Sequence, residues 1–245
     1  MTKFLTATVS ATVSGTMALA ECMAPVAAHA GSLAGKWQIK VLGTAVLPDG
    51  KIKSVLSVNV ATTLGATVAA VANPQTVVSD NGVPTLAVEY FFSPTVSVET
   101  ICCVTKHHVN GVGALGGTNL INDVYIVPAT LTVKLHAQLG PIKPYVGVGP
   151  SLFLQLHSKP GLTSTALGIT RTKLSSDLGV AFQAGCDIPL GRSGPLGKSG
   201  FGLTLDAKKY LMTTNAHFYQ GTTEALVTHH TLNPLLLSAG VSYRF

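Results

Sequence analysis

Charge is what this sequence is shortest of. Only 11% of its 245 residues are Asp, Glu, Lys or Arg, against about a quarter in an ordinary soluble domain. Hydrophobic residues, at 47%, do not fill the deficit; Gly, Thr, Ser and Asn do. Long apolar runs are missing too. Beyond residue 30 no stretch of about 18 residues is apolar enough for a membrane-spanning helix. The longest candidate, Ala61–Ala72, is short and broken by Thr62, Thr63 and Gly65. Cysteine is scarce: Cys22 lies near the N-terminus, Cys102 and Cys103 are adjacent, and Cys186 is far from both. Adjacent strand residues point to opposite faces, so Cys102 and Cys103 make a poor bridge. Cys22 falls in a segment that reads as a signal peptide, and the three cysteines that remain cannot all pair, which excludes a disulfide scaffold; the expected role is that of small buried hydrophobes. Clustered positive charge is also absent, despite a net charge of +6 and a pI of about 9.2. Lys51, Lys53, Lys106, Lys159, Arg171, Lys173, Arg192, Lys198, Lys208 and Lys209 are scattered rather than interleaved with aromatics, which argues against a nucleic-acid surface. Apart from Lys208, which falls on the polar face of a predicted strand, they are expected on solvated loops and turns, where an outer rim would meet anionic lipopolysaccharide.

What is present first is an N-terminal segment with one early cation, Lys3, a Thr/Ala/Val/Leu-rich run and Ala28-His29-Ala30. That is the pattern of a signal peptide, cleaved after Ala30, with Ala18-Leu19-Ala20 as the other candidate site. A lipid anchor on Cys22 is disfavoured because Glu21 replaces the small residue such a site needs. Residues 31–245 then form one domain.

Period-two alternation dominates that domain. It is clearest at the C-terminus, where Leu235, Leu237, Ala239, Val241, Tyr243 and Phe245 share one face and Leu236, Ser238, Gly240, Ser242 and Arg244 the other. Seven further strands are predicted at Trp37–Val46, Pro84–Phe92, Val96–Lys106, Ala129–Gln138, Pro144–Gln155, Leu174–Asp187 and Phe201–Tyr210. Their connections alternate in length. Ser93-Pro94-Thr95 and Gly140-Pro141-Ile142-Lys143 are tight turns and Pro189–Gly200 is Gly/Pro-rich. Long connections fall at about 47–83, 107–127, 156–173 and 211–232; the first has room for extra strand or a short helix, and its Ser57–Ala72 is apolar enough to pack. This is the rhythm of an eight-stranded antiparallel transmembrane β-barrel with short periplasmic turns and four longer extracellular loops.

A lipocalin has the same period with its apolar face inward. Three features favour lipid outside. The polar faces carry mostly Thr, Ser, Gly and Gln, odd for a soluble exterior. Trp37, Tyr90, Phe92, Phe201, Tyr243 and Phe245 recur near strand ends, as interfacial girdles do. The closing strand ends on an aromatic, with Tyr243 and Phe245 resembling the signal read by the barrel-insertion machinery.

Several segments in order resemble the OmpW family of outer-membrane proteins. They are Tyr90-Phe91-Phe92 followed by Val96-Ser97-Val98-Glu99, then Val127-Pro128-Ala129-Thr130-Leu131, then Pro144-Tyr145-Val146-Gly147-Val148-Gly149. Phe182-Gln183-Ala184-Gly185-Cys186-Asp187, Leu203-Thr204-Leu205-Asp206-Ala207-Lys208-Lys209-Tyr210, and Asn233-Pro234 leading to Gly240-Val241-Ser242-Tyr243-Arg244-Phe245 complete the set, over about residues 36–245. His107-His108, the long Gly191–Gly200 turn and the wall cysteines depart from the family pattern. The resemblance implies a narrow channel for passive uptake of small hydrophobic molecules, released sideways into the membrane.

No catalytic constellation stands out, so no enzyme activity, cofactor or metal is expected. Paired histidines at His107/His108 and His229/His230 would diverge on extended chain. Glu89, Glu99, Lys134, His136, Gln183, Asp206 and Lys208, with Asp177 and Asp187, fall on predicted lumen faces. There they are expected to fill a barrel just wide enough for side chains. Leu42, Phe91, Ile101, Tyr145 and Phe153 interrupt the same faces and are candidates for an apolar solute path. The alternative reading is a plugged barrel acting through its extracellular loops.

Overall fold

The computed structural model describes residues 36–190 and 200–245. The segment read as a signal peptide, with Cys22, and the turn holding Arg192 and Lys198 lie outside the described residues. In chain order the strands are β1 (Lys36–Leu47), β2 (Lys51–Val58), β3 (Gln75–Val78), β4 (Asn81–Phe91), β5 (Val96–Cys102), β6 (Thr105–Val112) and β7 (Asn119–His136). They continue as β8 (Lys143–Pro160), β9 (Arg171–Leu174), β10 (Leu178–Pro189), β11 (Gly200–Leu211), β12 (Thr213–Gln220), β13 (Thr223–Thr231) and β14 (Leu235–Arg244). Two short helices, α1 (Thr63–Ala69) and α2 (Leu162–Ala166), lie in the first and third long connections.

Eight strands close an antiparallel ring, β1-β4-β5-β7-β8-β10-β11-β14 and back to β1. These are the eight predicted alternating segments. Within the ring the apolar sets point out and the polar sets point in. On β1, Trp37, Ile39 and Val41 are exposed while Gln38, Lys40, Leu42 and Thr44 are buried. On β11, Phe201, Leu203 and Leu205 are exposed while Thr204, Asp206 and Lys208 are buried. A wall with its apolar side exposed and its polar side buried is built for lipid, and the pairing of β1 with β14 closes the ring so that it has no free edge strand. At the tight-turn end the aromatics form two girdle patches. Trp37 packs on Tyr90 at 4.8 Å and Tyr90 on Phe92 at 5.1 Å, while Phe201 meets Tyr243 at 4.9 Å.

The long connections differ from the expectation of loops. Most of their length is strand, forming a second wall stacked on the ring, here termed the canopy. The upper halves of β7 and β8 run on past the ring; β6 pairs with β7 and β3 with β6. The rest of the wall is a separate sheet, β2-β13-β12-β9. Side-chain bonds join the two parts at two seams. Ser158 Oγ donates to Thr172 O at 2.8 Å; Gln75 Nε2 reaches Ile52 O at 3.1 Å and Thr76 Oγ1 reaches Gly50 O at 2.9 Å. As expected of Ser57–Ala72, an apolar segment here packs: α1, N-capped by Thr62, buries Leu64 and Val68.

Two predicted strands change bounds. Val96–Lys106 divides at Cys103 and Val104 into β5 and β6. Leu174–Asp187 begins as strand only at Leu178, because Leu174 ends β9 in the other sheet. Asp177 therefore leaves the lumen set and accepts a hydrogen bond from Ser175 Oγ at 2.9 Å. Cys102 is exposed on the outer face rather than buried, and Cys103 is buried, so the adjacent thiols diverge.

Candidate functional site

The middle of the ring is filled by charge. Glu99 is the hub: Lys40 and Lys134 reach its Oε2 at 2.8 and 2.9 Å, and Lys208 reaches its Oε1 at 2.7 Å. Glu89 takes Lys40 at 2.7 Å, Lys134 at 3.0 Å and His136 Nε2 at 2.9 Å. Gln183 bridges by donating to Glu99 at 2.8 Å and Asp206 at 2.6 Å while accepting from Thr132 at 2.8 Å. Tyr145 donates to Asp206 at 2.8 Å, and Lys134 Nζ sits 3.6 Å above the Tyr145 ring. Two glycines of the sequence motifs make room for this packing. A Cβ on Gly147 would stand 3.0 Å from the Lys134 stem, and one on Gly185 would run into the Tyr145 ring. Lys40, Glu89 and Lys134 are fully buried, and every charge named here has an opposite charge or a hydrogen bond, as burial requires. At this height the lumen is occupied by paired side chains. Below it, at the periplasmic mouth, Lys143 and Arg244 lie over Phe91 at 4.3 and 3.6 Å.

Above the belt the lining becomes apolar. Val46, Ala87, Ile101, Ala181, Tyr210, Met212, Leu232 and Leu236 form one buried cluster, with Phe153 packed against it. Phe153 meets Tyr210 edge-on at 5.3 Å. Above that layer the canopy encloses a cavity of about 100 Å³, with Leu64, Val78, Val124, Ala216, Phe218 and Leu226 among its walls. A smaller cavity of about 30 Å³ lies between the large one and the wall; Val78, His107, Ile126 and Leu232 line both. Its other walls include Thr105, Pro128 and Phe153.

Beside the small cavity the wall has a break. Ile101 stands opposite Thr130 and Thr105 opposite Ile126, so the register is kept, yet Cys102–Val104 and Val127–Ala129 form no ladder between them. Pro128 has no N–H to offer. Threonine hydroxyls hold the two ends: Thr100 donates to Thr130 O at 3.0 Å and Thr105 to Ile126 O at 3.2 Å.

The candidate residues thus separate by height. Glu89, Glu99, Lys134, His136, Tyr145, Gln183, Asp206 and Lys208 belong to the belt. Leu42 is buried on the lumen side of β1, and Phe91 lies at the lower mouth against His136 at 5.0 Å. Ile101 and Phe153 belong to the apolar layer. Tyr243 and Phe245 are exposed in the girdle. The canopy cavity was missed, because its walls come from segments read as connections.

A family model described as the OmpW family matches residues 33–245. The chain belongs to the OmpW family. The "Uncharacterized outer-membrane protein y4mB" of Sinorhizobium fredii is 29% identical over 237 residues, spanning 93% of this chain and 90% of that protein. Among solved structures, the outer membrane protein OprG from Pseudomonas aeruginosa superposes with a TM-score of 0.69 at 19% identity, over 88% of this chain and 98% of OprG. AlkL in lipid bilayers gives 0.66 at 20% identity, over 100% of this chain and 97% of AlkL. The OmpW-family chain is an outer-membrane β-barrel, set among the lipids of that membrane.

Proposed function

We propose that this protein is a passive uptake channel for small hydrophobic molecules, exported with loss of residues 1–30. The solute passes from the canopy cavity into the small cavity and leaves sideways through the wall break at Cys102–Val104 and Val127–Ala129. The observation that carries this reading is the order of the lining: an apolar cavity leads to a break in the wall directly above a belt of paired charges. Ions and polar solutes would have to cross the belt, at the cost of leaving buried charges unpaired. An apolar solute needs only apolar contact and a gap.

The test is uptake by liposomes holding the refolded barrel, with polar solutes of equal size as control. Apolar-selective flux is expected, and Ala216→Trp, which fills the cavity, should remove most of it without unfolding the barrel. Flux no greater than through empty liposomes, with the barrel folded, would instead favour a closed barrel acting through its canopy.

A further inference from the structure

Two histidines line the canopy cavity, and they differ in one respect. The acceptor nitrogen of His230 is paired within its own strand: Nε2 lies 2.7 Å from Thr228 Oγ1. His107 Nδ1 lies 2.7 Å from Ser79 O. A carbonyl oxygen can only accept, so Nδ1 carries the proton. Burial holds His107 below the usual histidine range, so the ring is neutral at pH 7 and Nε2 is a bare acceptor. No described residue donates to it. Four of the cavity's hydroxyls donate to backbone carbonyls, Thr67 to Thr63 O at 2.8 Å, Thr76 to Gly50 O at 2.9 Å, Thr118 to Leu115 O at 2.7 Å and Thr214 to Ser175 O at 2.9 Å, while Thr228 pairs with His230 and Thr163 accepts from Asn119 N. His107 also lines both cavities, so a solute moving between them passes this side chain.

We propose that His107 Nε2 accepts a hydrogen bond from the solute, so that the channel prefers small apolar molecules with one hydroxyl donor, such as alkanols or phenols, over plain hydrocarbons. A hydrocarbon leaves the acceptor unpaired in an apolar wall; an alkanol of equal length satisfies it and keeps its chain among Val78, Ile126 and Leu232. A carboxylate brings a second acceptor and a charge, and is disfavoured. This inference rests on the uptake reading above.

The first arm is ¹⁵N-histidine NMR of the refolded protein in nanodiscs, titrated with 1-hexanol or hexane at equal membrane mole fraction. Hexanol should shift the bare His107 Nε2 resonance to higher shielding, and hexane should not. Both should shift the methyls of Ala216 and Leu226. The second arm compares liposome flux of the two solutes in wild type and His107→Phe. The wild-type preference for hexanol, about three- to tenfold from one hydrogen bond, should disappear in the variant while hexane flux remains. Cavity methyls that respond with no Nε2 shift, or a preference unchanged in His107→Phe, would overturn the inference and leave uptake standing. No response of the cavity methyls to either solute would overturn both. The wild-type spectra decide the question even if the variant does not fold.

Discussion

Within β7 the chemistry of the two faces exchanges. Below Pro128 the strand turns Thr130, Thr132, Lys134 and His136 inward and Leu131, Val133 and Leu135 outward; above it, Val124 and Ile126 are inside and Asp123 and Tyr125 face out. The ring and the canopy share this strand and β8, yet one is polar inside and apolar outside and the other the reverse. Each region buries whatever its surroundings reject. In lipid, polar groups are hidden and must pair with one another; in water, apolar area is hidden and drives closure. A solute path therefore begins in the apolar interior of the canopy and meets its barrier where the interior turns polar.

The largest test of this contrast removes the hub of the belt. Glu99→Ala leaves Lys40, Lys134 and Lys208 short of a shared partner and should cost about 3–5 kcal/mol, read as a lower urea midpoint for the gel-shift transition of the refolded barrel. A smaller one puts the same charge on the outside of both regions. Val148→Lys and His157→Lys both lie outward on β8, one on the ring and one on the canopy. The first should cost about 2–4 kcal/mol if it meets the hydrocarbon centre, the second within about 0.5 kcal/mol of zero; equal costs would show that the boundary is misplaced.

The smallest test acts on the canopy alone. Burial pushes His230 down to about 4 from its ordinary 6.5. A lowered histidine binds its proton more weakly when folded than when unfolded. The canopy therefore keeps full stability above pH 6.5 and loses it as the pH falls towards 4, by an amount on the order of 2–3 kcal/mol. Hydrogen-exchange protection of β13 at pH 7.5 and 4.5, corrected for intrinsic rates, reads the loss, and His230→Phe should remove most of it, leaving the smaller share of His107. Protection that falls equally in the variant would assign the pH response to other groups.

The ring was legible in the sequence because its alternation keeps one phase for eight or more residues at a time, as in Ala129–Gln138 or Leu235–Phe245. The belt residues were legible for the same reason: charge on a lumen face is conspicuous in a chain so poor in charge. The canopy was not. At Pro128 the apolar positions move from odd to even numbers while the strand itself does not slip, so the alternation reads as ending where only the solvent changes. Register shifts add to this, at Tyr125/Ile126 on β7 and at Val227/Thr228 and His229/His230 on β13. Single-strand periodicity also says nothing about which segments meet in space, so the joint use of His107, Phe218 and Leu226 in one cavity left no local signal.

The two canopy seams carry a mechanical consequence. Between β8 and β9, and between β2 and β3, a few hydroxyl and amide bonds stand where the ring has continuous ladders. Such bonds contribute about 1 kcal/mol each, far less than a strand pair with its cross-strand contacts. The sheet β2-β13-β12-β9 is therefore a separate cooperative unit, whose release exposes the apolar cavity while every ladder of the ring stays intact. Water can work on the upper half of this molecule without unlocking the half that lipid holds.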